Sequence, residues 1–121
     1  MPRTSASIAM LIIAALCASL ARAQTAVQTY DIRVDHGVAN TPLIRVRQGD
    51  WVRLRWVSDR PIVLHLHGYD IERKVEAGAV AEMTFLARAA GRFPVEEHRP
   101  SAAGGHSHGD APLVRIEVYP K

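Results

Sequence analysis

The sequence predicts an all-β fold, a small sandwich of about seven strands. Two observations carry that prediction. Apolar and polar residues alternate with period two through much of the chain. Clusters of Gly, Pro, Asn and Asp punctuate the alternation at intervals of about 8–12 residues, the rhythm of short strands joined by turns. There is no internal repeat, and the single low-complexity piece is a Gly- and His-rich stretch near the C-terminus.

The elements follow in order. Residues 1–23 read as a secretory signal peptide: Arg3 gives a positive start, Ile8 to Leu16 a short apolar run, and Ala21-Arg22-Ala23 an A-x-A cleavage signal. The run is too short for a comfortable membrane span. Domain organisation is then a signal at 1–23 and one domain at 24–121, with the mature chain in the periplasm. Val27 to Val34 is a first strand with Tyr30, Ile32 and Val34 on one face. Asp35-His36-Gly37 and Asn40-Thr41-Pro42 are turns. Leu43 to Arg47 and Trp51 to Val57 flank the tight turn Gln48-Gly49-Asp50. In the second of them Val52, Leu54 and Trp56 point inward and Arg53 and Arg55 outward. Ser58-Asp59-Arg60-Pro61 breaks that strand, and Ile62 to His67 forms the next. Ile71 to Val75 is a short strand. Val80 to Leu86 alternates with a slip near Ala81, so an alanine-rich helix over 79–90 competes there. Gly78 and Gly91 bracket the run at strand length and favour the strand. Arg92 to His98 is extended, Arg99 to Asp110 is a loop, and Leu113 to Tyr119 is the last strand.

Charge excludes one class of partner. Arg3 and Arg22 leave with the signal, so the 15 basic residues become 13 against 12 acids. The bases are interspersed with acids, which argues against nucleic acid. Arg45, Arg47, Arg53 and Arg55 read as the solvated face of a hairpin. The one cysteine, Cys17, lies in the signal, where Ala14-Ala15-Leu16 lacks the small residue a lipoprotein signal places before its Cys. The mature protein therefore has neither a disulfide nor a thiolate ligand, and its stability rests on a packed core. No nucleophile with a base, phosphate-binding glycine loop or paired carboxylate motif is present.

The chemistry is in the histidines. Six are present: His36, His65, His67, His98, His106 and His108. In a strand, His65 and His67 share the face opposite Leu64 and Leu66, the spacing that shared ligation of one ion requires. The competing reading is a core histidine beside a rim histidine. His98 ends another strand-like run; alone it reads as a surface residue, and beside the pair as a third ligand. His106-Ser107-His108, between glycines, either closes on the same metal or lies in an unstructured surface loop. His36 reads as a turn residue. Glu96 and Glu97 offer an oxygen ligand, a hydrogen bond to an imidazole, or a solvated acidic pair. Neutral imidazole suits Cu, Zn, Ni and Fe, and a blue-copper centre needs a thiolate that is missing.

His65-Leu66-His67-Gly68-Tyr69-Asp70 followed by Gly91-Arg92-Phe93-Pro94-Val95-Glu96-Glu97-His98 resembles the pattern of small exported cupredoxin-like proteins. The resemblance spans about residues 27–120 and implies a Greek-key β-sandwich of cupredoxin type. In that family a Phe-x-Cys-x-x-His segment carries copper ligands. Phe93 and His98 fit its frame, Val95 stands where the Cys would be, and no downstream Met follows. The resemblance thus implies a histidine-only copper site in place of a blue one.

The expected function is periplasmic copper binding, as carrier, sequestering protein or tolerance factor, with metal ligands His65, His67, His98, His106 and His108. Copper is the expected ion and zinc the alternative. The expected state is a monomer that meets a metal ion and a periplasmic or membrane protein partner. Two other readings stay open: a metal-free interaction module using a strand edge, and a small type-2-copper redox enzyme.

Overall fold

The computed structural model describes residues 26–100, 106–108 and 111–121, with the side chains of 99, 100 and 106–108 excepted. The expected signal segment, residues 1–23, lies outside them. Ten strands and no helix occur among the described residues, and none of the described chain forms a helix long and apolar enough to cross a membrane. The strands are β1 (Val27–Asp35), β2 (Val38–Ala39), β3 (Leu43–Arg47), β4 (Trp51–Ser58), β5 (Ile62–Leu66), β6 (Ile71–Val75), β7 (Ala81–Leu86), β8 (Gly91–Pro100), β9 (His106–His108) and β10 (Val114–Tyr119).

They form two mixed sheets. One has the order β2-β1-β4-β7; the other runs β3-β10-β8-β5-β6, with β9 paired to β8. The inward sets anticipated from alternation are buried together: Ile32 and Val34 of β1, Val52, Leu54 and Trp56 of β4, Leu64 and Leu66 of β5, and Val114, Ile116 and Val118 of β10. The run over 81–86 is a strand, with Met83 and Phe85 in the core. This is the expected sandwich: two faces of alternating residues closed on one apolar layer.

Three expectations need correction. The described residues form ten strands where about seven were expected, because the two-residue β2 folds back on β1 and β9 pairs with β8. The stretch 99–110 is not all loop: β8 continues to Pro100, and the backbone of His106–His108 pairs with it in the register His98↔His108 and Pro100↔His106. Finally, β3 and β4 are not a hairpin. β3 pairs with β10 and β4 with β1, both in parallel, so Arg45 and Arg47 belong to one sheet and Arg53 and Arg55 to the other.

The 48–50 turn is where the chain changes sheet. The Gln48 N–H donates to Tyr119 O at 2.8 Å, after which the Gly49 N–H donates to Ala87 O at 2.8 Å. Gly49 holds φ +95°, a region that favours glycine. The Asp50 carboxylate accepts from the Arg47 N–H and from Gln28 Nε2, both at 2.8 Å, and fixes the turn.

Candidate metal centre

β5 and the turn after it position the two leading histidines. Leu64 and Leu66 are fully buried, so alternation forces His65 outward onto the outer face of the larger sheet, and His67 follows one residue beyond the strand. The turn His67-Gly68-Tyr69-Asp70 is pinned from below. Gly68 has φ +85°, and a Cβ there would lie 2.5 Å from Phe93 Cδ1, so only glycine lets β8 approach. The Tyr69 ring packs on Phe85 (centroids 4.7 Å) and Phe93 (5.0 Å). Its hydroxyl is buried with no hydrogen-bond partner among the described residues. Asp70 completes the turn at φ +53°.

The outcome is a tight imidazole pair. The ring centroids of His65 and His67 are 4.3 Å apart with an interplanar angle of 49°. Both side chains are about one-third exposed. The register puts Glu96 of β8 and Glu72 of β6 directly across from His65, one on each side. Glu96 turns toward the neighbouring ring: its Oε2 lies 2.9 Å from His67 Nε2. The His67 backbone is itself held to β8, its N–H donating to Pro94 O at 3.0 Å. Asp70 Oδ1 approaches His65 Nε2 at 3.4 Å from a fully exposed carboxyl. The patch is thus two imidazoles edged by carboxylates.

His98 sits farther along β8. It is one residue past the Leu64–Glu97 pair. That register makes it a diagonal neighbour of His65 at about 7–8 Å, and sets it about 13 Å along the strands from His67. It lines a groove of about 520 Å³ with Arg60, Pro61, Ile62, Val63, Lys74 and Glu97. There the Arg60 guanidinium grips Glu97 with two hydrogen bonds of 2.7 and 2.8 Å, clamping the β4–β5 loop to β8. That grip holds Arg60 above its ordinary pKa. The backbone register sets His108 opposite His98 and His106 two positions on; their side chains lie outside the described residues. His36 is in the β1–β2 turn of the other sheet, where its backbone N–H donates to Asp59 Oδ2 at 3.0 Å. Val95, at the position where the resemblance puts a Cys, is buried on the inner face opposite Leu66.

The donor set fits a borderline divalent ion in part. With metal–nitrogen bonds of about 2.0 Å, two imidazoles at a right angle about one ion have centroids about 4.5 Å apart, close to the 4.3 Å observed. No group of three or more His, Cys, Asp or Glu side chains stands ready to hold a metal among the described residues. The described chain thus brings two imidazoles together with carboxylates at their edge, and places His98 one diagonal step away. The sequence alone does not place Asp70 or Glu72 beside His65. Asp70 follows locally from the turn, whereas Glu72 requires the β5–β6 register.

No family model matches the chain, and no curated protein does. Solved structures resemble it. A chain of a heme-copper terminal oxidase dimer matches with TM-score 0.59 at 16% identity, over 93% of this chain and 92% of that one. The blue copper oxidase from Nitrosomonas europaea matches with TM-score 0.62 at 20% identity, over 79% of this chain; the match spans 40% of the oxidase. The periplasmic domain of subunit II of cytochrome oxidase from Bradyrhizobium japonicum matches with TM-score 0.58 at 14% identity, over 77% of this chain and 84% of that domain. At these identities the likeness is one of fold, and the fold is a cupredoxin-like β-sandwich.

Proposed function

We propose that this protein binds copper in the periplasm through histidine alone, as a carrier, sequestering protein or tolerance factor. The observation that carries the reading is the His65–His67 pair, two imidazoles 4.3 Å apart on the outer face of the larger sheet. Among the described side chains His98 is the nearest further imidazole by register, and His106 and His108 are the remaining candidates through the pairing of β9 with β8. The mature chain has no cysteine, and the one methionine in the described residues, Met83, is fully buried in the core. Soft sulfur donors select Cu(I), so imidazole with nearby carboxylate favours the divalent ion. Cu(II) outranks Zn(II) for such donors in the general affinity order, and Zn(II) is the competing ion. Bound copper would supply a Lewis-acidic, redox-capable centre; the chain's own contribution is to hold and orient the imidazoles. The protein acts as a monomer, exported by its signal segment, and exchanges the ion with a periplasmic or membrane protein.

A Cu(II) titration of the purified protein, read by electron paramagnetic resonance, tests this. The expected result is one equivalent bound with an axial, nitrogen-coordinated spectrum, lost in His67→Ala. Weak multi-site binding that His67→Ala leaves unchanged would remove the site and leave the metal-free interaction module as the better reading.

A further inference from the structure

We infer that Glu96 is a positioning residue that fixes the tautomer of His67, so that His67 presents Nδ1 to the metal. The inference rests on the copper-site reading above and adds which nitrogen ligates and what sets it. A carboxylate can only accept a hydrogen bond. At 2.9 Å from Glu96 Oε2, His67 Nε2 must therefore carry the proton and donate it. A neutral imidazole protonated at Nε2 holds its lone pair on Nδ1. Ligating imidazoles commonly donate their other ring N–H to a carboxylate, which fixes the ring and raises its basicity.

Three features make this contact a built one. Glu96 is partly buried, with its side chain 24% exposed. Its backbone is locked into the ladder directly across from His65, so the strand register aims it at the pair. The ring it orients is held at the other end by the Gly68 turn, which Phe93 permits to be nothing but glycine. Glu96 thus ties β8 to the turn after β5 at the one point where the two imidazoles meet. Among the described side chains, those beside the contact include His65, on the same strand side, and Asp70, whose carboxylate stands 3.4 Å from His65 Nε2. That second carboxylate favours the same tautomer in His65.

Long-range nitrogen–proton correlation spectra of the ring nitrogens test the assignment directly. In the metal-free protein, at a pH where His67 is neutral, the expected spectrum is that of the Nε2–H tautomer. Glu96→Ala should shift it to a mixture of tautomers. Glu96→Gln, whose amide oxygen still accepts a hydrogen bond, should keep most of it. In the Zn(II)-loaded protein the ligating nitrogen of His67 should be Nδ1. Cu(II) affinity should fall about 10–100-fold in Glu96→Ala and less in Glu96→Gln.

Metallation at Nε2, or a His67 tautomer indifferent to Glu96→Ala, overturns the inference while leaving the copper site intact. A loss of affinity as large in Glu96→Gln as in Glu96→Ala, with the tautomer unmoved, overturns it in favour of Glu96 as a direct ligand. Absence of one-equivalent Cu(II) binding in the unsubstituted protein overturns the copper-site reading itself, and the Glu96 contact is then only structural.

Discussion

The two faces of β5 are built on opposite principles. Inward, Leu64 and Leu66 are fully buried between the sheets and belong to the apolar layer that closes the sandwich. Outward, His65 and His67 are held by a ring–ring contact, a carboxylate across the register and one at the turn. The inner face is over-determined: many close-packed neighbours each supply a little dispersion and transfer energy. The outer face is a short chain of pairwise polar contacts, partly open to water and screened by it. The lesson is that the strand separates stability from chemistry, residue by residue, at intervals of one position.

The largest test of that separation compares neighbours on β5. Leu66→Ala removes a fully buried side chain and should cost about 2–5 kcal/mol in chemical denaturation, through lost burial and the cavity left behind. His65→Ala, one position away, should stay within about 1 kcal/mol. Comparable losses from both would mean that the outer face is part of the fold and that the two sides are not separable.

Gly68→Ala probes the turn that joins the two faces. The φ of +85° and the 2.5 Å approach of Phe93 both act against a Cβ. Strain of this kind costs about 1–3 kcal/mol, and the Phe93 ring must shift in addition. The expected result is a lower unfolding midpoint together with weakened Cu(II) binding, because the turn carries His67. A stable variant with unaltered binding would show that the turn does not hold the imidazole in place.

Tyr69→Phe should move stability the other way. The Tyr69 ring packs on Phe85 and Phe93, while its hydroxyl is buried without a hydrogen-bond partner among the described residues. A buried hydroxyl left unsatisfied costs about 1–3 kcal/mol, so removing it while keeping the ring should add about 1 kcal/mol of stability, read as a higher unfolding midpoint. A lower midpoint would mean that the hydroxyl is bonded after all.

How far the sequence foretells this arrangement depends on whether the signal is local. The inward sets of β1, β4, β5 and β10 are legible because a period of two is a property of consecutive residues. The His65–His67 pair is legible for the same reason. The β3–β4 relation is not: Gln48-Gly49-Asp50 is an equally good turn for a hairpin and for a change of sheet, and the choice is made by Tyr119 and Ala87, far along the chain. The β8–β9 pairing is hidden because Gly, Ala and Ser around it carry no alternation. Glu96 illustrates the limit most clearly. Its neighbour Glu97 has the same side chain, yet register sends Glu96 to His67 and Glu97 to Arg60. Identical residues, adjacent in sequence, serve different ends because alternation separates them.

The smallest expected effect concerns the far side of the same outer face. There a row runs across three strands, Arg45 of β3, Glu117 of β10 and Arg92 of β8. The Tyr119 hydroxyl donates to Glu117 Oε2 at 2.9 Å, and the two guanidinium groups stand 3.4 and 3.6 Å from the carboxylate. The Tyr119 hydrogen bond first, and the arginines after it, hold Glu117 below its ordinary carboxylate pKa. A folded-state pKa below the unfolded one means that the unfolded chain binds more protons as pH falls. The stabilisation is therefore full above the ordinary carboxylate range and is lost as pH drops through the folded value. Glu117→Gln should remove this component, so the stability difference between the protein and the variant should narrow between about pH 5 and pH 2. Because the row is open to water, the narrowing should be slight and should shrink further in high salt. A difference independent of pH would mean that Glu117 contributes by packing alone.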